Sequence, residues 1–167
     1  NDSKLRALYT VIKESYGEQK VLVFTEYADT AEYVAKGLRN LGLKSVESVT
    51  GNSTNPTELA RRFSPRSNSK LGGNKVQTED EIQILIATDV LSEGQNLQDA
   101  SIVVNYDLPW AIIRLIQRAG RVDRVGQTSP KVEILSFFHE TIENVIALRD
   151  RIRHRLSQNA SAFGSDE

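Results

Sequence analysis

Five candidate strand segments, separated by segments with helical spacing, limit what this chain can fold into. They occupy Val21–Phe24 and residues 44–49, 82–87, 101–106 and 131–138, and most are followed by a polar turn. The unbroken apolar run Val21–Phe24 suits a strand buried on both faces. Between them, Leu5, Leu8, Ile12 and Tyr16 recur at helical spacing ahead of Gly17. Asp29 and Glu32 read as a capping box for a helix whose inner stripe is Ala31, Val34, Ala35, Leu38 and Leu41. Asn55-Pro56 opens a short helix through Phe63, and a closing helix is expected at about residues 141–156. Strands alternating with helices imply parallel crossover units. The expected fold is therefore α/β, a parallel sheet of about five or six strands with helices on both faces. Residues 64–80, rich in serine, asparagine, glycine and lysine, read as a flexible insertion.

A length of 167 residues suits one domain, read as residues 1–167 with a core at about 18–140. Hydrophobic content of 39% and charged content of 26% are those of a soluble globular protein. No run of about 18 apolar residues predicts a membrane span, and no signal-peptide pattern opens the chain. A cytoplasmic location is compatible with these features. With no cysteine, and with His139 and His154 isolated, no metal site is expected within the chain. A net charge of −1 gives no global attraction to nucleic acid, so any such contact is local. The chain has no methionine, which reads as a domain excised from a larger protein.

The residues with the strongest chemical character lie in the stretch from Gln117 to Gln127, where Arg118, Arg121 and Arg124 follow one another at intervals of three. In a helix begun at Trp110, Ile112, Leu115, Ile116 and Ala119 share one arc, and Arg114, Gln117, Arg118 and Arg121 share the opposite one. Gly120 then falls near the helix end, where a missing side chain permits close approach of a backbone or ligand, and Arg124 follows on the turn. Planar, permanently charged guanidinium groups suit phosphate oxygens that gain charge during phosphoryl transfer. A solvated basic face making surface ion pairs is the other reading.

A second constellation follows the run ending at Ala87: Thr88, Asp89, Ser92, Glu93 and Gly94. Thr88 can donate to a backbone phosphate and Gly94 permits close approach, although Asp89 or Ser92 can equally cap a turn. Thr25-Glu26, Thr50-Gly51 and Asp107 also follow apolar runs, where ligands of parallel sheets bind.

The Gln117 to Gln127 stretch resembles motif VI of the superfamily-two helicases and translocases, in the wording of the Swi/Snf-type, RapA-like bacterial branch. Ala87 to Leu97 resembles motif V, Val21 to Tyr27 motif IV, and Val49-Thr50-Gly51 the element that follows motif IV. The resemblance implies a C-terminal RecA-like lobe of an ATP-dependent DNA translocase, with RNA possible. It implies Arg121 and Arg124 as catalytic arginine fingers, with Gln117, Gly94, Glu93 and Asp89 beside the nucleotide. Thr25, Thr50, Gly51 and Thr88 would contact the phosphate backbone. The chain departs from the DEAD-box branch in having Glu93 and Asn96 around the motif V glycine, and Gln117 where that branch has histidine. No Gly-x-x-x-x-Gly-Lys-Ser/Thr loop is present to cradle phosphates. ATP with magnesium, metal carboxylates from a preceding N-terminal RecA-like lobe, and an inactive isolated chain are the corresponding expectations. A non-catalytic interaction module and an unrelated nucleotide-binding domain are the competing readings.

Overall fold

The computed structural model describes residues 2–69, 76–92, 95–109 and 113–137. The chain divides into two units, Asn1–Phe137 and Phe138–Glu167. The second, which contains the expected closing helix, lies outside the described residues.

Helix α1 (Ser3–Val11) starts beneath Asp2, whose carboxylate accepts from the Lys4 and Leu5 amides at 2.9 and 3.1 Å. It continues into a π-helical turn, Ile12–Tyr16, that stops at Gly17, where φ is +47°. Strand β1 (Val21–Phe24), helix α2 (Ala28–Asn40), strand β2 (Val46–Val49) and helix α3 (Pro56–Phe63) follow. Then come strand β3 (Ile84–Ala87), a single 3₁₀ turn at Asp89–Ser92, strand β4 (Ile102–Asn105), helix α4 (Ile113–Ala119) and strand β5 (Glu133–Ser136).

The five strands form one parallel sheet in the order β2-β3-β1-β4-β5. Alternate side chains divide the core in two. Val21, Val23, Ile84, Ile86, Ile102 and Val104 pack with the inner stripes of α1 and α2. On the other face, Leu22, Phe24, Leu85, Ala87 and Val103 pack with Ala60 and Phe63 of α3, and with Leu91, Leu97 and Val122. Helix α1 reaches α2 at Gly37, where a Cβ would stand 2.5 Å from a Leu5 methyl carbon.

Several local expectations change. Tyr27 occupies the N-cap position of α2 without a side-chain bond, and Asp29 lies in the first turn, so the capping box does not form. Asp29 still favours the amide end of the helix through its charge. Asn55 caps α3 as expected, accepting from the Glu58 amide at 3.0 Å. Strand β2 begins only at Val46 because Ser45 adopts φ +54°, and the Ser45 carbonyl accepts from the Gln83 and Ile84 amides.

The stretch expected as a structureless insertion is built at both ends. A 3₁₀ turn forms at Thr78–Asp80, and residues 64–69 make successive turns. The buried Asp99 carboxylate accepts from the Arg66 and Ser67 amides at 2.8 and 3.0 Å and from the Ser67 hydroxyl. Asn68 donates to the Ser64 and Asn96 carbonyls, both at 2.8 Å. Residues 70–75 lie outside the described residues. Removing the Asp99 carboxylate strands two backbone donors, so Asp99→Ala is expected to lower unfolding free energy by about 1–3 kcal/mol. Urea denaturation measures this, and a change below about 0.5 kcal/mol, the range of ordinary surface substitutions, would contradict it.

Candidate functional site

The candidate site lies beyond the carboxyl ends of the strands. The register pairs Val49 with Ala87 and Ala87 with Phe24. The residues that follow, Thr50, Thr88 and Thr25, therefore stand side by side across β2, β3 and β1. All three are buried.

Their hydroxyls differ in what they can still do. The Thr25 hydroxyl donates to Asp107 Oδ2 at 2.6 Å, while the Glu26 amide donates to Asp107 Oδ1 at 3.0 Å. The Thr25 hydroxyl proton is thus held in an internal bond that ties β1 to the residue after Tyr106. The Thr50 hydroxyl accepts from the Asn52 amide at 3.2 Å, and the Thr50 amide donates to Ser53 Oγ at 2.9 Å. This shapes the turn in which Gly51 is exposed. The Thr88 amide donates to the Val49 carbonyl at 3.1 Å, continuing the ladder beyond β3. On the same sheet face, Tyr106 lies beneath the Lys4 ammonium, 4.2 Å from the ring centroid. Burial pushes the Tyr106 hydroxyl above its ordinary range and pulls the Lys4 ammonium below its own, the latter opposed by Asp107 and Asp2.

The chain leaves β1 through α2 on one face of the sheet and leaves β4 through α4 on the other. These adjacent strands diverge to form a topological switch point, where open parallel sheets form ligand crevices. A cleft of about 230 Å³ opens there, lined by Phe24, Asp89, Arg114, Gln117, Arg118 and Arg121.

Helix α4 positions three of those six residues, but not with the faces expected. Leu115 points into the core, whereas Ile113 is exposed; residues 110–112 lie outside the described residues. Arg118, expected on the solvent arc, has a side chain only 2% exposed. Its Nε donates to Asp89 Oδ1 at 2.9 Å and its Nη2 to Asp89 Oδ2 at 3.3 Å. Its Nη1 donates to Asn105 Oδ1 at 3.1 Å and to the Asp107 carbonyl at 3.4 Å. The guanidinium carbon lies 5.2 Å from the centroid of the Phe24 ring. Arg114 also contacts Asp89, at 3.2 Å, and stands 3.7 Å from Glu26.

Asp89 was expected beside the nucleotide. It lines the cleft, and both of its oxygens accept from arginines in the same wall. Glu93 and Gly94, the other expected nucleotide neighbours in that segment, lie outside the described residues. Gln117 is exposed and does line the cleft.

Beyond α4 the chain turns at Gly120, where a Cβ would approach the Ile116 carbonyl oxygen to 3.3 Å. The close approach expected at this glycine is therefore made by the helix's own backbone. Val122 is fully buried and anchors the turn between two arginines. Arg121 is half-buried in the cleft wall and Arg124 is exposed. Among the described residues, neither has an ion-pair partner.

Sequence reasoning did not single out Phe24 or Asn105 as site residues in this neighbourhood. Asn105 carried a usable signal, because an amide at the end of an apolar strand needs a partner once buried.

The chain is 36% identical over 126 residues to the protein named uncharacterized ATP-dependent helicase YqhH of Bacillus subtilis (strain 168), covering 75% of this chain and 20% of that protein. It is 34% identical over 127 residues to the RNA polymerase-associated protein RapA of Vibrio parahaemolyticus, covering 75% and 12% respectively. It is 30% identical over 143 residues to the ATP-dependent RNA helicase DBP8 of Debaryomyces hansenii, covering 84% and 29%. The chain thus spans less than a third of each relative. Its fold matches the C-terminal domain of the DEAD-box protein Dbp5, with a TM-score of 0.61 at 24% identity over 100% of this chain and 82% of that one. The sheet is accordingly RecA-like. Residues 3–126, more than half of the chain, match the model of the helicase conserved C-terminal domain, and the chain belongs to that family.

Proposed function

We propose that this chain is the C-terminal lobe of an ATP-dependent DNA translocase of the RapA-like branch, supplying Arg121 and Arg124 to an ATP site shared with a preceding RecA-like lobe. The observation that carries the reading is the division of labour among the arginines. Arg114 and Arg118 are held by Asp89, whereas Arg121 in the switch-point cleft wall and Arg124, exposed on the turn that follows, have no ion-pair partner among the described residues. Unpaired guanidinium groups at a cleft favour a polyanion.

On lobe closure, the triphosphate brought by the other lobe meets these two arginines. Water attacks the γ-phosphorus, the bond to the β-phosphate oxygen breaks, and the two guanidinium groups stabilise charge that develops on the transferred group and the leaving oxygen. Arg118 and Asp89 keep the cleft wall in place, and Gln117 borders the nucleotide. Magnesium, held by carboxylates of the preceding lobe, would neutralise phosphate charge; the arginine-lined cleft suits the phosphates and leaves the metal's ligands to that lobe. Thr50, Gly51 and Thr88 border the phosphate backbone of the nucleic acid, while Thr25 supports that edge through Asp107. The location that follows is cytoplasmic and nucleoid-associated. No helix among the described residues is long and apolar enough to cross a membrane.

The test is phosphate release by the full-length protein and by this chain alone, each with duplex DNA, single-stranded RNA or neither. Turnover stimulated by duplex DNA in the full-length protein, with none from the isolated chain, is expected. Stimulation by RNA alone would move the substrate to RNA, in line with the relative named as an RNA helicase. Robust turnover by the isolated chain would sink the shared-site reading.

Thr88→Ala in the full-length protein is expected to weaken nucleic-acid-stimulated turnover to a similar extent for all base sequences, because a phosphate contact carries no sequence information. Comparing stimulation by several duplexes of different sequence checks this. A loss confined to particular sequences would count against it.

A further inference from the structure

Two glutamine side chains hold the loop that carries Arg124 by its backbone. The buried Gln98 donates through Nε2 to the Val125 carbonyl at 2.9 Å. Gln127 donates through Nε2 to the Ala100 carbonyl at 2.9 Å and the Val122 carbonyl at 3.1 Å, and its Oε1 accepts from the Ser129 amide at 2.8 Å. The Gln127 amide donates to the Arg124 carbonyl at 2.9 Å. The carbonyls of Val122, Arg124 and Val125 therefore each accept from Gln98 or Gln127. Gly126, at φ +102°, turns the chain beneath Gln98, whose Oε1 would lie 3.4 Å from a Cβ at that position. These bonds bracket a side chain with no ion pair of its own among the described residues.

An arginine that reaches its target only on lobe closure has no carboxylate to orient it beforehand. Its alignment must come from the backbone that bears it. We infer that Gln98 and Gln127 are positioning residues for Arg124, fixing its turn against residues 97–100 so that the guanidinium arrives aligned with the transferred phosphoryl group. This rests on the arginine reading above. Gln127 closes the arginine-rich stretch and Gln98 follows the Ala87 to Leu97 segment, so the two segments are joined through the backbone of one turn.

The experiment uses the full-length protein and compares Gln98→Met, Gln127→Met, Arg124→Ala and a control, Gln83→Met. Methionine keeps the length of glutamine without its donor. Gln83 donates to the Gly17 carbonyl at 2.6 Å, at the opposite end of the sheet. ATP turnover is measured at saturating DNA, with a melting curve for each variant. In Gln98→Met and Gln127→Met, kcat is expected to fall roughly 10- to 100-fold, the effect of about 1 Å of misplacement. KM for ATP should stay within about twofold, because the contact is realised in the transition state. Melting should shift no more than in Gln83→Met. Single-turnover rates of the Gln98→Met, Arg124→Ala double variant should match those of Arg124→Ala alone, since a positioning residue has nothing left to position. Unchanged kcat in both glutamine variants, with turnover lost in Arg124→Ala, would overturn the inference. So would a loss that follows melting, or one that multiplies with Arg124→Ala. Full turnover in Arg124→Ala would instead remove the arginine reading itself, and this inference with it.

Discussion

Arg121→Ala or Arg124→Ala in the full-length protein is expected to reduce ATP turnover by roughly 10³- to 10⁵-fold, the range for removal of an arginine finger, with little change in melting temperature. Neither side chain contributes to the core, which is closed at this turn by Val122 between them. Removing either therefore opens no cavity and strands no ion-pair partner among the described residues. If these arginines were ordinary surface charges, the loss would stay below about tenfold, since an exposed ion pair contributes about 1 kcal/mol or less. Lysine at position 121 is not expected to restore turnover, because a point charge cannot reproduce a planar fork of donors. Turnover at saturating nucleotide and DNA, read beside a melting curve, separates the possibilities. Near-normal turnover in either variant would return that arginine to the surface.

Arg118→Ala is expected to do the reverse of its neighbour three residues on. Its side chain is 2% exposed and donates to Asp89, to the Asn105 amide oxygen and to the Asp107 carbonyl. Truncation leaves Asn105 Oδ1 buried without that donor and removes half of an ion pair. Breaking a fully buried pair costs about 3–5 kcal/mol. Asp89 is 30% exposed and keeps Arg114, so a loss of about 2–3 kcal/mol is expected here. Arg118→Met, which keeps volume but not charge, should lose less than alanine because it still fills the space beside Phe24. Denaturant titration of both variants tests the assignment, with turnover following the folded fraction. An unchanged midpoint in Arg118→Ala would show that its bonds contribute nothing to the fold.

The contrast between Arg118 and Arg121 shows where a sequence stops being informative. The central strands were readable because Val21–Phe24 and Ile84–Ala87 are apolar without interruption, as burial on both faces requires, and the outer strands β2 and β5 by their place between helical segments. Helix α3 was readable at both ends because Asn55-Pro56 opens it and its apolar residues stop at Phe63. Spacing alone, however, puts Arg118 and Arg121 on the same helical arc and treats any arginine as a surface residue. What buries Arg118 is Asp89 and Asn105, 29 and 13 residues away along the chain, and periodicity carries no record of such partners. The same limit applies to Thr25, whose hydroxyl is taken by Asp107, 82 residues on. The turn at residues 64–69 was hidden for a related reason. Its polar composition is that of a free loop, and the carboxylate that organises it belongs to Asp99.

The last residue of strand β1 and the one that follows it have different neighbours. Phe24 lines the arginine cleft, and Thr25 stands beside Thr88 in the threonine row. Successive residues of a strand are only about 3.3 Å apart along it. Occupancy at the cleft and occupancy along the row therefore bear on one short piece of backbone, with no hinge or loop between them. If a nucleotide at the cleft shifts that piece enough to alter the grip on a polyanion, the polyanion must alter nucleotide affinity by the same factor. Each ligand would then report on the other through the end of a single strand.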